Sequence, residues 1–100
     1  MISIVLSKNG VPIRLTDERW AHITEEHGEL ADLQQEVLQT VAEPERIVEG
    51  KAGELLALRE LENGKWLVVV YLELGDDGFV ITAFSTHRFR SFEKRKQVWP

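Results

Sequence analysis

The sequence predicts an α+β domain: an N-terminal hairpin, then two helices packed on one face of an antiparallel sheet of three to four strands. Three observations carry that expectation. Apolar residues recur at helical spacing as far as Ala42, Pro44 interrupts them, and from Arg46 onward the period is two. Asn63-Gly64 stands between two alternating runs, the strongest short-range signal for a hairpin. The chain has 100 residues with 43% hydrophobic content, which suits one domain with one core and no linker.

The elements follow in order. Ile2 to Leu6 reads as a strand, "SKNG" as a turn and "VPIRL" as the returning strand. Pro12 cannot donate to a ladder, so the returning strand is expected at an edge or to be irregular. Thr16 is a plausible N-cap, with Asp17 and Glu18 in the first turn, where the helix dipole favours acids. A helix is predicted over 17–27, ended by Gly28. A second is predicted over 30–42, with Leu30, Leu33, Val37, Leu38 and Val41 as its apolar stripe. "RIVEG" is a short strand, and longer strands are predicted over 54–62, 65–74 and 79–86, with "GDDG" as the last turn.

Two-residue loops at Asn63-Gly64 and Asp76-Asp77 would set the register. Arg59 would face Val68, Glu60 would face Leu67, and Leu67 would face Thr86. Trp66, Val68 and Val70 would then share a face with Leu55, Ala57 and Leu61 and meet the helices. The other face, with Leu56, Leu58, Val69, Tyr71, Phe84 and Thr86, would be partly open. Arg59 is the odd residue on the apolar face, because a buried guanidinium is costly unless paired. It is either a rim arginine paired with a helix carboxylate or a phosphate ligand.

Composition narrows the function classes. There is no cysteine, which removes disulfides and thiolate metal sites. No apolar run approaches the ~20 residues that span a bilayer, and the N-terminal residues do not read as a signal peptide. A soluble cytoplasmic protein is expected. The net charge of −5 argues weakly against an extended nucleic-acid surface. Its distribution is uneven. Asp17 to Glu62 holds thirteen acids against four lysines and arginines, whereas Thr86 to Gln97 holds Arg88, Arg90, Lys94, Arg95 and Lys96 against Glu93 alone. Such a tail either engages phosphates or pairs with the acidic helices.

"RWAHITEEHGELADL" carries His22 and His27, two of the three histidines in the chain. On a helical wheel they lie roughly 140° apart, so they cannot chelate one metal in the manner of helix-borne zinc sites. "HITEEH" is not the metalloprotease motif, and no third ligand cluster is visible, so no metal is expected. Taken alone, His27 could cap the helix C-terminus, and Trp20 and Ile23 read as core residues. Histidine is also the usual general acid or base near neutral pH.

"RLTDERWAHITEEHGEL", "VLQTVAEPERIVEG" and "KWLVVVYLELGDDGFVITAFST" together resemble the BECR group of small nucleases, which joins barnase-, EndoU-, tRNase-colicin- and RelE-like domains. The likeness is to its phage-associated and standalone members, with their pattern "W..HI...HPEL", a second helix ending "..P..I" and a final "T-A-[FY]-x-T" strand. It covers about residues 14–86. Gly28 stands where that pattern has proline. The resemblance implies two helices followed by a four-stranded antiparallel sheet, and metal-independent, often toxin-like, ribonuclease activity without a cofactor. It implies His22, His27 and Thr86 as catalytic residues. Arg59 joins them as a phosphate-holding catalytic residue, and Tyr71 and Arg88 as substrate contacts. The basic tail adds Arg90. RNA is then the partner. The rival expectation is a non-catalytic module or inactive nuclease-like domain that binds an antitoxin-like protein or a second copy through its sheet.

Overall fold

A computed structural model describes residues 1–100. β1 (Ile2–Leu6) and β2 (Pro12–Thr16) form the hairpin, followed by α1 (Asp17–Glu26), one 3-10 turn (Gly28–Leu30) and α2 (Gln34–Ala42). Four strands come next: β3 (Arg46–Glu49), β4 (Leu55–Glu62), β5 (Lys65–Leu74) and β6 (Asp77–Thr86). A second 3-10 turn (Phe89–Phe92) and β7 (Gln97–Trp99) close the chain. The class is α+β, as the sequence predicts, but the sheet has seven strands rather than three to four, in the order β1-β2-β6-β5-β4-β3-β7.

The added strands come from both ends of the chain. β2 runs parallel to β6 over two residue pairs, Ile13 with Gly78 and Arg14 with Phe79. This buries Ile13 and Leu15 almost completely, and their burial is what draws the hairpin into the sheet. β2 is therefore internal rather than an edge. Its ladder to β6 starts one residue after Pro12, so the missing donor costs nothing there. At the other end β7 pairs antiparallel with β3, and Phe92 is buried. The basic residues lie in the 3-10 turn and loops that join β6 to β7, and Lys96 pairs with Glu49 of β3 rather than with a helix. No helix is long and apolar enough to cross a membrane.

Thr16 caps α1 by accepting the Arg19 N–H at 3.0 Å. The helix ends one residue early. His27 leaves helical geometry (φ −131°, ψ 68°), although its N–H still reaches the Ile23 carbonyl at 2.8 Å. α2 starts only at Gln34, so Leu30 sits in the intervening turn; it is still fully buried.

Two bulges change the register. Gly64 has the positive φ (80°) expected of a two-residue loop, and Glu62 faces Lys65. Glu60 then faces Trp66, which leaves Leu61 as an extra residue in β4. The Glu60 carboxylate accepts the Gly64 N–H at 2.8 Å and ties the bulge to the turn. The next loop is Gly75-Asp76 rather than Asp76-Asp77, with Leu74 facing Asp77 and Gly75 at φ 68°. A second bulge leaves Ile81 unpaired, because Tyr71 faces Val80 while Val70 faces Thr82. Arg59 therefore faces Leu67 rather than Val68, and Thr86 faces Trp66 rather than Leu67.

A one-residue slip exchanges the faces of a strand. Leu67, Val69 and Tyr71 of β5, not Trp66, Val68 and Val70, meet the helices, together with Ala57, Val80 and Ala83. The other face packs Leu56, Leu58, Val68 and Val48 beneath Phe92. It holds a second, smaller core, around which Trp66, Val70, Phe84 and Phe89 stay only partly buried.

Candidate functional site

Only Gly78 and Phe79 of β6 pair with β2, so the rest of β6 has no strand on that side. α1 and the 3-10 turn after it lie along this edge. Between α1 and β6 runs a cleft of about 280 Å³, lined by Arg19, His22, Glu26, His27, Ile81 and Thr82 among others. Both histidines meet there despite their separation on a helical wheel. The wheel does not apply to His27, because the chain has already left the helix at that residue.

His27 is half-buried, with its ring centroid 6.0 Å from that of Phe84. Its Nδ1 lies 4.0 Å from the Glu29 carboxylate. Glu29 in turn accepts the Ser85 hydroxyl at 3.2 Å. Chiefly the backbone N–H of Glu29 holds the Glu29 carboxyl below its ordinary value of 4.5; burial opposes it, and the Ser85 hydroxyl and the neighbouring His27 add smaller lowering effects. The stability this contributes is present above that ordinary value and is lost as the pH falls through the lowered one. The order of contacts is His27–Glu29–Ser85. The hydroxyl donates its hydrogen bond to the carboxylate rather than to the imidazole, so Ser85 is not an activated nucleophile. With Nδ1 turned to Glu29, Nε2 is the nitrogen left for a ligand.

The sheet brings an arginine to the same corner. Arg59 faces Leu67, and Leu67 faces Ser85, in one row on the helix-bearing face. Two strand spacings put Arg59 on the order of 10 Å from Ser85. Arg59 makes no ion pair, so the rim pairing considered from the sequence is absent.

Thr86 follows Ser85 and points to the opposite face, where it faces Trp66. Its Oγ1 accepts the Arg88 N–H at 3.0 Å and so turns the chain into the basic segment. Arg88 and Arg90 are exposed, make no ion pair, and line a shallow cleft of about 520 Å³ with Trp66, His87 and Phe89.

Tyr71 is the residue the structure removes from the site. It is fully buried among the core residues beneath the helices, so the substrate contact expected of it is out of reach. Its hydroxyl has no hydrogen-bond partner, and burial, helped by the Glu73 charge, pushes its pKa up. An orphaned buried hydroxyl is a cost, so Tyr71→Phe is expected to raise stability in urea by about 1 kcal/mol and to leave any activity unchanged.

Sequence reasoning missed Glu29, Ser85, Trp66 and Phe89. A carboxylate two residues after a histidine was a usable signal for Glu29. Nothing local marked the others, because the bulge at Ile81 decides which β6 side chains face the helices. No His, Asp or Glu side chains gather in groups of three that could hold a metal ion. No protein-family model, curated protein or solved structure matches the chain.

Proposed function

We propose that the protein is a BECR-like, metal-independent endoribonuclease of the cytoplasm that cleaves RNA by attack of a ribose 2′-OH on the adjacent phosphorus. The observation that carries this reading is the cleft between α1 and β6, which both His22 and His27 line, with the Glu29 carboxylate beside His27. A separate cleft on the opposite face, after Thr86, holds Arg88 and Arg90.

The side chains suffice for the chemistry. His27 Nε2 takes the 2′-OH proton as general base, and the Glu29 carboxylate beside Nδ1 stabilises the resulting imidazolium. The 2′-oxygen bonds to phosphorus and the bond to the 5′-oxygen breaks. His22, in the same cleft, gives that oxygen its proton. Arg59, on the helix-bearing face, is the donor for the charge that develops on the phosphoryl oxygens, and Arg88, on the other face, holds a phosphate further along the strand. The products are a 2′,3′-cyclic phosphate and a free 5′-OH.

The rival reading is a module that binds a second copy or an antitoxin-like protein through its sheet; of the surface expected for it, Phe84 is partly exposed. Leu56 and Leu58 are buried with Phe92, and Val69 faces the helices. The experiment is direct. Purified protein incubated with total RNA in EDTA should yield fragments, and RNA left intact for hours at micromolar protein would contradict the proposal.

A further inference from the structure

We infer that the face of the sheet beside Thr86 is a nucleobase-stacking subsite, so that the strand delivered to the cleavage cleft is single-stranded. The consequence for cleavage rests on the ribonuclease reading; the binding itself does not.

The subsite is built from three elements. Trp66 of β5 is half-buried on the face away from the helices, opposite Thr86. Phe89, from the 3-10 turn after β6, stacks on it with centroids 4.2 Å apart and rings 29° from parallel. The Arg46 guanidinium of β3 stands 5.1 Å over the Phe89 ring. The aromatic pair is therefore held rigidly, with Phe92 anchoring the same turn in the core. Trp66 and Phe89 line the cleft with Arg88 and Arg90, whose charges no acid neutralises, and Glu93 is the only acid lining it.

Phe89 is stacked on Trp66 and covered by Arg46, so an unstacked base joins this stack in place of the Arg46 guanidinium, and the unpaired Arg88 and Arg90 take its phosphate. A duplex keeps its bases within its own stack and cannot join this one. The route to the cleft is short. Phe84, whose ring lies 6.0 Å from that of His27, is two residues from Thr86 on the same side of β6. A strand with one base on the Phe89–Trp66 stack runs past Thr86 towards His27.

The test uses the full chain and a 5′-fluorescein octamer of 2′-O-methyl adenylate, which has no free 2′-OH to be cleaved. Fluorescence anisotropy is read at low salt, with the same octamer annealed to its complement as the duplex. The single strand should bind at least ~10-fold more tightly than the duplex. Trp66→Leu keeps an apolar side chain against Val68 and should weaken binding roughly 5- to 100-fold, the range for losing one base–aromatic stack. Phe89→Leu, with a urea melt on both variants, guards against misfolding. Arg90→Ala should weaken binding and flatten its salt dependence by about one phosphate contact. Equal affinity for single strand and duplex, or wild-type binding by both leucine variants, would overturn the inference and mark the patch as a protein contact. If those variants bind normally while the wild type cuts RNA, the subsite fails and the ribonuclease stands. If stacking is confirmed while RNA stays intact, the ribonuclease fails and the subsite stands.

Discussion

Replacing His27 with alanine is expected to slow RNA cleavage by roughly 10²–10⁴-fold, the usual worth of a general acid or base, while the protein stays folded. The side chain is half-buried at the end of α1, and its loss uncovers the Phe84 ring without opening the core. Circular dichroism and a urea melt on the variant should therefore match the wild type closely. His22→Ala should also slow cleavage. Its ring is exposed on the helix, where an alternative proton donor such as water reaches the leaving oxygen more readily, so its effect should be the smaller one. Cleavage that survives both changes would leave the reaction class intact and remove the assignment of base and acid.

The largest effect on stability is expected at Leu67. It is fully buried on the helix-bearing face, in the row between Arg59 and Ser85. Leu67→Ala removes three buried carbons and leaves a cavity that the flanking strands cannot readily fill. The expected cost is about 2–5 kcal/mol, which for a domain of this size lowers Tm by roughly 10–25 °C. The comparison residue is Trp66, its neighbour. In the register read from the loops alone, Trp66 would be the core residue and Leu67 would lie on the partly open face. A Leu67→Ala variant with unchanged Tm would restore that register and dissolve the row that brings Arg59 towards Ser85.

The contrast between those two neighbours shows where the sequence was readable. Local signals with a mechanism held: the Thr16 cap, the stripe of α2, and the Asn63-Gly64 turn with its positive φ at Gly64. Pro12 misled: β2 is neither an edge nor irregular, since it pairs with β1 over five consecutive residue pairs and lies inside the sheet. The bulges at Leu61 and Ile81 were not readable, because Leu61 between Glu60 and Glu62, and Ile81 between Val80 and Thr82, both read as ordinary residues of an extended strand. Each depends on side-chain burial across strands, which is a tertiary effect. The same holds for β7, whose three residues follow a charged segment and form a strand only because β3 offers an unpaired edge. At the site, His22 and His27 were legible as residue types, but the cleft they share was not. It depends on α1 unwinding at His27 and on β2 leaving most of β6 uncovered. Tyr71 was misjudged because the face it occupies follows from the bulges.

The central claim is that phosphodiester cleavage uses the 2′-OH of the substrate and the side chains of this chain alone. It is tested most directly with DNA oligonucleotides that carry a single ribonucleotide, of each base in turn, incubated with the protein in EDTA. The account predicts one cut, immediately 3′ of the ribonucleotide, leaving a 2′,3′-cyclic phosphate on one fragment and a 5′-OH on the other. The all-deoxy strand should remain whole. Cutting of the all-deoxy strand at a comparable rate, or four intact chimeric strands in the presence of folded protein, would contradict it.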